Sequence, residues 1–172
     1  KSKVEFIQGF KQDLESRGVT YQQIAVNEPV ESYTPKLSAN KLNVFVPTSG
    51  KDVTLIELMP KLNQLIDEAP EASISMFGYP EWQIYTRDHI DNFFKIDTYF
   101  YSSFYTNNLL PAAKTFTRSY HKWYSKEMLD KYPKYGMLGF DIGFFFLRGL
   151  SVYGTALEHR IKDIKLEPIQ TG

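Results

Sequence analysis

Residues 42–58 read LNVFVPTSGKDVTLIEL. The first five form a nearly unbroken apolar run, closed by Pro47-Thr48-Ser49-Gly50. Runs of this length suit strands buried on both faces, as in parallel sheets. Beyond the turn, Val53, Leu55, Ile56, Leu58, Met59, Leu62, Leu65 and Ile66 recur at helical spacing, with Asp52 in place as a cap. Pro60 lies inside this pattern and removes one hydrogen bond, so the helix is expected to kink or divide there. A strand followed at once by a helix is half of a parallel crossover.

The same alternation extends outward. Val4, Ile7, Phe10 and Leu14 share one helical face and Arg17-Gly18 supplies a stop, which predicts a helix over 3–17. Residues 20–26 read as a strand, and 27–41 as a polar connection with a short helical turn near 36–39. A strand over 72–77, a helix around 87–94 capped by Thr86, and an aromatic strand from 97 follow. The pattern then becomes helical. Residues 111–128 form a long amphipathic helix with Phe116, Tyr120, Trp123 and Tyr124 inward, 138–153 an apolar helix ended by Gly154, and 155–161 a short one. The order predicts an α/β fold: a three-layer, Rossmann-like parallel sheet with helices on both faces and strands near 20–26, 42–46, 72–77 and 97–104. Residues 1–105 make the α/β lobe, and 106–172 a helical segment continuing that lobe or its partner.

Composition narrows function. A chain of 172 residues can bury a sizeable core. Its 20 basic and 20 acidic side chains balance, which gives no electrostatic reason to expect nucleic acid or an anionic membrane. The absence of cysteine excludes disulfides, thiolate catalysis and sulfur-based zinc sites. His89, His121 and His159 stand singly, so no metal site is expected, and nothing points to a cofactor. No stretch is long and apolar enough to span a membrane. With no initiator methionine and no signal peptide, the chain is expected to be a processed or trimmed piece of something larger.

In open parallel sheets ligands gather outside the carboxyl ends of the strands. Two loops occupy that position. Thr48 and Ser49 offer hydroxyls before a helix, either for a ligand or only for an ordinary capped turn. The second loop belongs to ISMFGYPEWQIY, residues 74–85. There Tyr79, Glu81 and Trp82 could hold an amine or a sugar, or the aromatic rings could pack onto the sheet. Tyr101 in the aromatic strand is a further ligand-binding candidate. Asp141, at the start of the apolar helix, either answers the helix dipole or faces a ligand. No G-x-S-x-G, P-loop or G-x-G-x-x-G occurs, so no catalytic residue is assigned.

NVFVPTS before a helix, ISMFGYPEWQIY, the YFYSSFY strand, a long helix with FTRSYHKWY, and YGMLGFDIGFFFLRGL together resemble the type I periplasmic-binding fold of branched-chain amino acid receptors. The likeness is nearest to receptor-like domains that follow LysM modules in envelope proteins. It rests most on Phe116 and Tyr120 and on Gly139-Phe140-Asp141, where phenylalanine stands in place of the usual tyrosine. The resemblance implies a non-catalytic, solute- or partner-binding module of the periplasm or cell envelope. Its ligand would be a small polar solute or a peptidoglycan-derived one. A structural or interaction domain that kept the fold and lost the cleft is the alternative, with a flavodoxin-like hydrolase behind it. The family fold has a strand before the first helix and more strands after Thr171-Gly172. A lobe without them leaves backbone groups and an apolar face uncovered, so pairing with a second copy is expected, through a sheet edge or the aromatic residues of 97–124.

Overall fold

The structure is a computed structural model that describes residues 3–129 and 131–170. The chain divides into two compact units, Lys1–Tyr101 and Ser102–Gly172.

The first unit is α/β. Its sheet holds β1 (Leu42–Phe45), β2 (Ser73–Gly78) and β3 (Thr98–Phe100), all parallel, in the order β1-β2-β3. Around it run α1 (Val4–Ser16), α2 (Asp52–Glu68) and α3 (Thr86–Lys95). The register sets Phe45 beside Met76 and Gly78 beside Phe100. Alternation then puts Ile74, Met76 and Phe100 on the face that meets Leu55, Leu58, Met59, Leu62 and Leu65 of α2 and Phe93 of α3.

This face carries the buried core of the unit. Leu42, Val44, Phe77 and Tyr99 lie on the opposite face and are exposed. The expectation of strands buried on both faces, with helices on both sides, is therefore corrected: the apolar run 42–46 belongs to an edge strand with one open side.

The expected strand at 20–26 is not formed. Its apolar residues still reach the core, since Ile24 and Val26 pack against it. Its carbonyls go to side chains instead of a ladder. Lys61 Nζ donates to the carbonyls of Val26 and Glu28, and the Tyr33 hydroxyl donates to Ala25 at 3.3 Å. A backbone acceptor satisfied in this way has no need of a neighbouring strand.

α2 runs through Pro60 undivided. Pro60 and Ile56 are both exposed, so the carbonyl that loses its partner faces water. Asp52 is the first helical residue and makes no cap bond; its carboxylate pairs with His89 Nε2 at 2.7 Å. Thr86 likewise sits inside α3, and its hydroxyl donates to the Gln83 carbonyl. α1 ends as expected at Gly18, with φ +68°: Val19 N–H reaches Leu14 and Gly18 N–H reaches Glu15, which closes the last turn.

The second unit is helical, with α4 (Pro111–Tyr124), α5 (Tyr135–Tyr153) and α6 (Leu157–Arg160). Its core is small: Ala113, Met137 and Ile169, with Phe116 and Met128 against them. α4 stops four residues early because Ser125 turns left-handed at φ +52°. Trp123, expected inward, is 80% exposed, and Tyr124 is exposed too. Among the described residues no helix is long and apolar enough to cross a membrane.

Leu62 has no exposed surface, whereas Ile56, on the far side of the same helix, is more than half exposed. Leu62→Ala is expected to cost about 2–5 kcal/mol in urea unfolding, and Ile56→Ala about 0.5 kcal/mol or less. Equal costs would mean that the helix is rotated about its axis.

Candidate functional site

Parallel strands release their following loops on one edge, so the loop after β1 and the loop after β2 emerge side by side. A single hydrogen bond ties them. The hydroxyl of Tyr79 donates to the carbonyl of Pro47 at 2.5 Å. Both residues are buried, and Tyr79 is 1% exposed.

Trp82 is the centre of this edge. It follows in a 3₁₀ turn over Pro80–Tyr85 and has no exposed surface. Its ring stacks on Phe93 at 5.9 Å between centroids and meets Tyr79 edge-on at 6.0 Å. A β-carbon at Gly78 would fall inside the indole, so glycine is required at the end of β2. The indole Nε1 has no acceptor among the described residues.

Glu81 turns the other way. Its carboxylate lies over Gly50, where a β-carbon would collide with it, and pairs with Lys3 Nζ at 2.7 Å. Lys3 also stands over the Tyr79 ring, 4.4 Å from its centroid, and Phe6 meets that ring edge-on at 5.9 Å. The start of α1 thus closes over the loop. At the first loop, Ser49 is half-buried and its Oγ accepts the Lys51 N–H at 3.2 Å, while Thr48 is exposed.

The seven sequence candidates therefore separate. Thr48, Ser49, Tyr79, Glu81 and Trp82 do meet on one edge. Of these, Tyr79 and Trp82 are corrected from ligand platforms to core rings, because neither presents a face to solvent. Tyr101 lies one residue past β3 and stacks on Phe77 at 6.2 Å, on the open face of the sheet.

Asp141 belongs to the second unit, seven residues into α5 rather than at its start. Its two oxygens accept the N–H groups of Ile169 and Gln170 at 2.8 and 2.9 Å. That makes it a staple for the C-terminal segment, not a dipole partner. It also borders an open hollow of about 490 Å³ with Phe104, Ile142, Phe145 and Pro168.

Sequence reasoning did not single out Lys3, and no local pattern marks it. Its role depends on which loop the start of α1 meets. Among the described residues no group of three or more metal-ligating side chains comes together. No family model, curated protein or solved structure matches the chain.

Burial, then the nearby carboxylate of Glu81 and the hydroxyl of Tyr101, pushes the Tyr79 phenol from 10.0 up to about 12. Below pH 10 the phenol is neutral in folded and unfolded chains alike, and its stabilisation is complete. Between pH 10 and 12 the unfolded chain ionises first, so stability is lost as pH rises. Two units correspond to about 2–3 kcal/mol. Native protein should lose about that much more than Tyr79→Phe between pH 9 and 12 in parallel urea titrations. Identical pH profiles would mean that the phenol is solvated.

The burial of Trp82 has its own signature. Trp82→Ala is expected to cost about 3–5 kcal/mol. In a Trp123→Phe background, which removes the exposed second tryptophan, the remaining emission should be blue-shifted and move to the red on unfolding. A red emission maximum in the folded state would put Trp82 in water.

Proposed function

We propose that this chain is a non-catalytic, receptor-like binding module of the cell envelope, and that it works by contact with another protein surface rather than by enclosing a solute. One observation carries the reading. The strand-exit edge, where a sheet of this kind would take a ligand, is filled by the protein's own Tyr79 and Trp82 and bridged by Lys3 to Glu81. The uncovered apolar surface supports it. The open sheet face presents Leu42, Val44 and Tyr99, and α5 presents more. Contiguous exposed apolar surface of this kind marks interaction sites.

The solute-receptor reading keeps one observation in its favour: exposed Thr48 and half-buried Ser49 lie on the same edge as Glu81. A small polar solute or a peptidoglycan fragment would have to displace Lys3 from Glu81 to use it. A hydrolase has less support: Asp52 holds His89, but among the described residues no hydroxyl is hydrogen-bonded to that histidine to serve as nucleophile.

A thermal-shift panel of amino acids, sugars and muropeptides separates the readings. The interaction reading expects no change in unfolding midpoint with any of them. A dose-dependent rise of several degrees that disappears in Glu81→Gln and Thr48→Ala would overturn it in favour of a solute receptor.

A further inference from the structure

We propose that the Glu81 carboxylate and the face of the Tyr79 ring form a binding site for a primary alkylammonium group, the head of a lysine side chain, and that Lys3 of the same chain fills it until a partner's lysine takes its place. This rests on the interaction reading above and names the chemistry of the contact. The structure already holds an ammonium in the site. Lys3 Nζ lies 2.7 Å from Glu81 Oε1 and 4.4 Å from the centroid of the Tyr79 ring. A carboxylate on one side and a ring face on the other together recognise an organic cation.

The site is built without the lysine. The Tyr79 ring is fixed by its hydroxyl on the Pro47 carbonyl and by the edge of Trp82. The Glu81 carboxylate rests where a β-carbon of the buried Gly50 would stand, so glycine at 50 makes its niche. None of these restraints comes from α1.

Lys3, by contrast, is a loosely held occupant. It precedes the first residue of α1, and its side chain makes no cap bond. Its side chain can swing away while its carbonyl keeps the Ile7 N–H at 2.9 Å. The side chains of Lys3 and Glu81 are 23% and 33% exposed, so an incoming ammonium reaches the carboxylate from solvent. An ion pair this open to water is weak. It still excludes a free amine, because a tethered group competes at an effective concentration in the millimolar range. A lysine borne by a surface with further contacts overcomes that tether. Phe6 and Phe10, exposed and stacked at 6.2 Å beside the site, offer such contacts.

Emptying the site gives the test, with n-butylammonium as the probe for a lysine head and n-butanol as its uncharged counterpart. In Lys3→Ala with Trp123→Phe, the Trp82 Nε1–H resonance should shift and saturate with millimolar n-butylammonium, and stay in place with n-butanol. Adding Glu81→Gln should abolish the shift. With Lys3 intact, n-butylammonium should give no shift, whereas a capped Leu-Lys-Leu peptide should give one and its norleucine counterpart none. A second measurement leaves Lys3 unchanged: an acylating reagent should modify Lys3 several-fold more slowly than the exposed Lys41, and Glu81→Gln should bring the two rates together. No shift in the emptied site, a shift that survives Glu81→Gln, or equal acylation of Lys3 and Lys41 in the native chain would overturn the ammonium site. An equal n-butylammonium response with Lys3 in place would overturn its occupation by Lys3, and silence towards the lysine peptide would overturn displacement by a partner. Each of these leaves the closed strand-exit edge and the interaction reading standing. A solute response of the native chain in the thermal panel would instead overturn the interaction reading.

Discussion

The indole of Trp82 occupies the space that any side chain at position 78 would take, and the first unit is arranged around that contact. Glycine at the end of β2 lets the chain turn back so that the indole lies against its own strand. The ring then bridges Tyr79 on one side and Phe93 of α3 on the other. Tyr79 in turn reaches Pro47, which fixes the loop after β1, and receives Phe6 and Lys3 from α1. One glycine–tryptophan contact thus ties two helices, α1 and α3, and two loops to a single sheet edge. A buried indole whose N–H has no acceptor among the described residues carries a desolvation cost, so this seat is held by packing rather than by hydrogen bonding.

The sheet itself is small, and its two faces differ. Parallel strands are ordinarily covered on both sides, because their backbone pairing and their apolar side chains favour a dry environment. Here α2 and α3 cover one side, while Leu42, Val44 and Tyr99 stay open on the other. Ser75 is nevertheless buried on that side, and its hydroxyl is satisfied by donating to the Asp97 carbonyl at 2.6 Å. The second unit shows the same imbalance. Its buried core is small, yet α5 offers apolar side chains over most of its circumference.

Much of this architecture is legible in the sequence. The helices at 4–16, 52–68 and 86–95 and the strands at 42–45 and 73–78 follow from apolar spacing and from turn residues, because those signals are local. Gly18 marks a helix end because only a left-handed residue closes that turn cheaply. The meeting of the loops after β1 and β2 also follows from sequence, since parallel strands leave their exits on one side.

What local signals could not decide is where shared groups go. Residues 20–26 have the composition of a strand, but side chains take carbonyls at its end: Lys61, more than thirty residues away in the chain, that of Val26, and Tyr33 that of Ala25. Asp52 has the position of a cap but answers His89, and Asp141 holds backbone N–H groups from the other end of its unit. Trp82 could equally be a platform or a core ring by sequence, because aromatic side chains serve both. The amino-acid sequence by itself determined the alternating elements, the parallel order and the edge on which the candidate residues gather. Tertiary structure decided that the edge is closed, because burial of Tyr79 and Trp82 depends on α3 folding back over the turn that precedes it and on α1 arriving from a distant part of the chain.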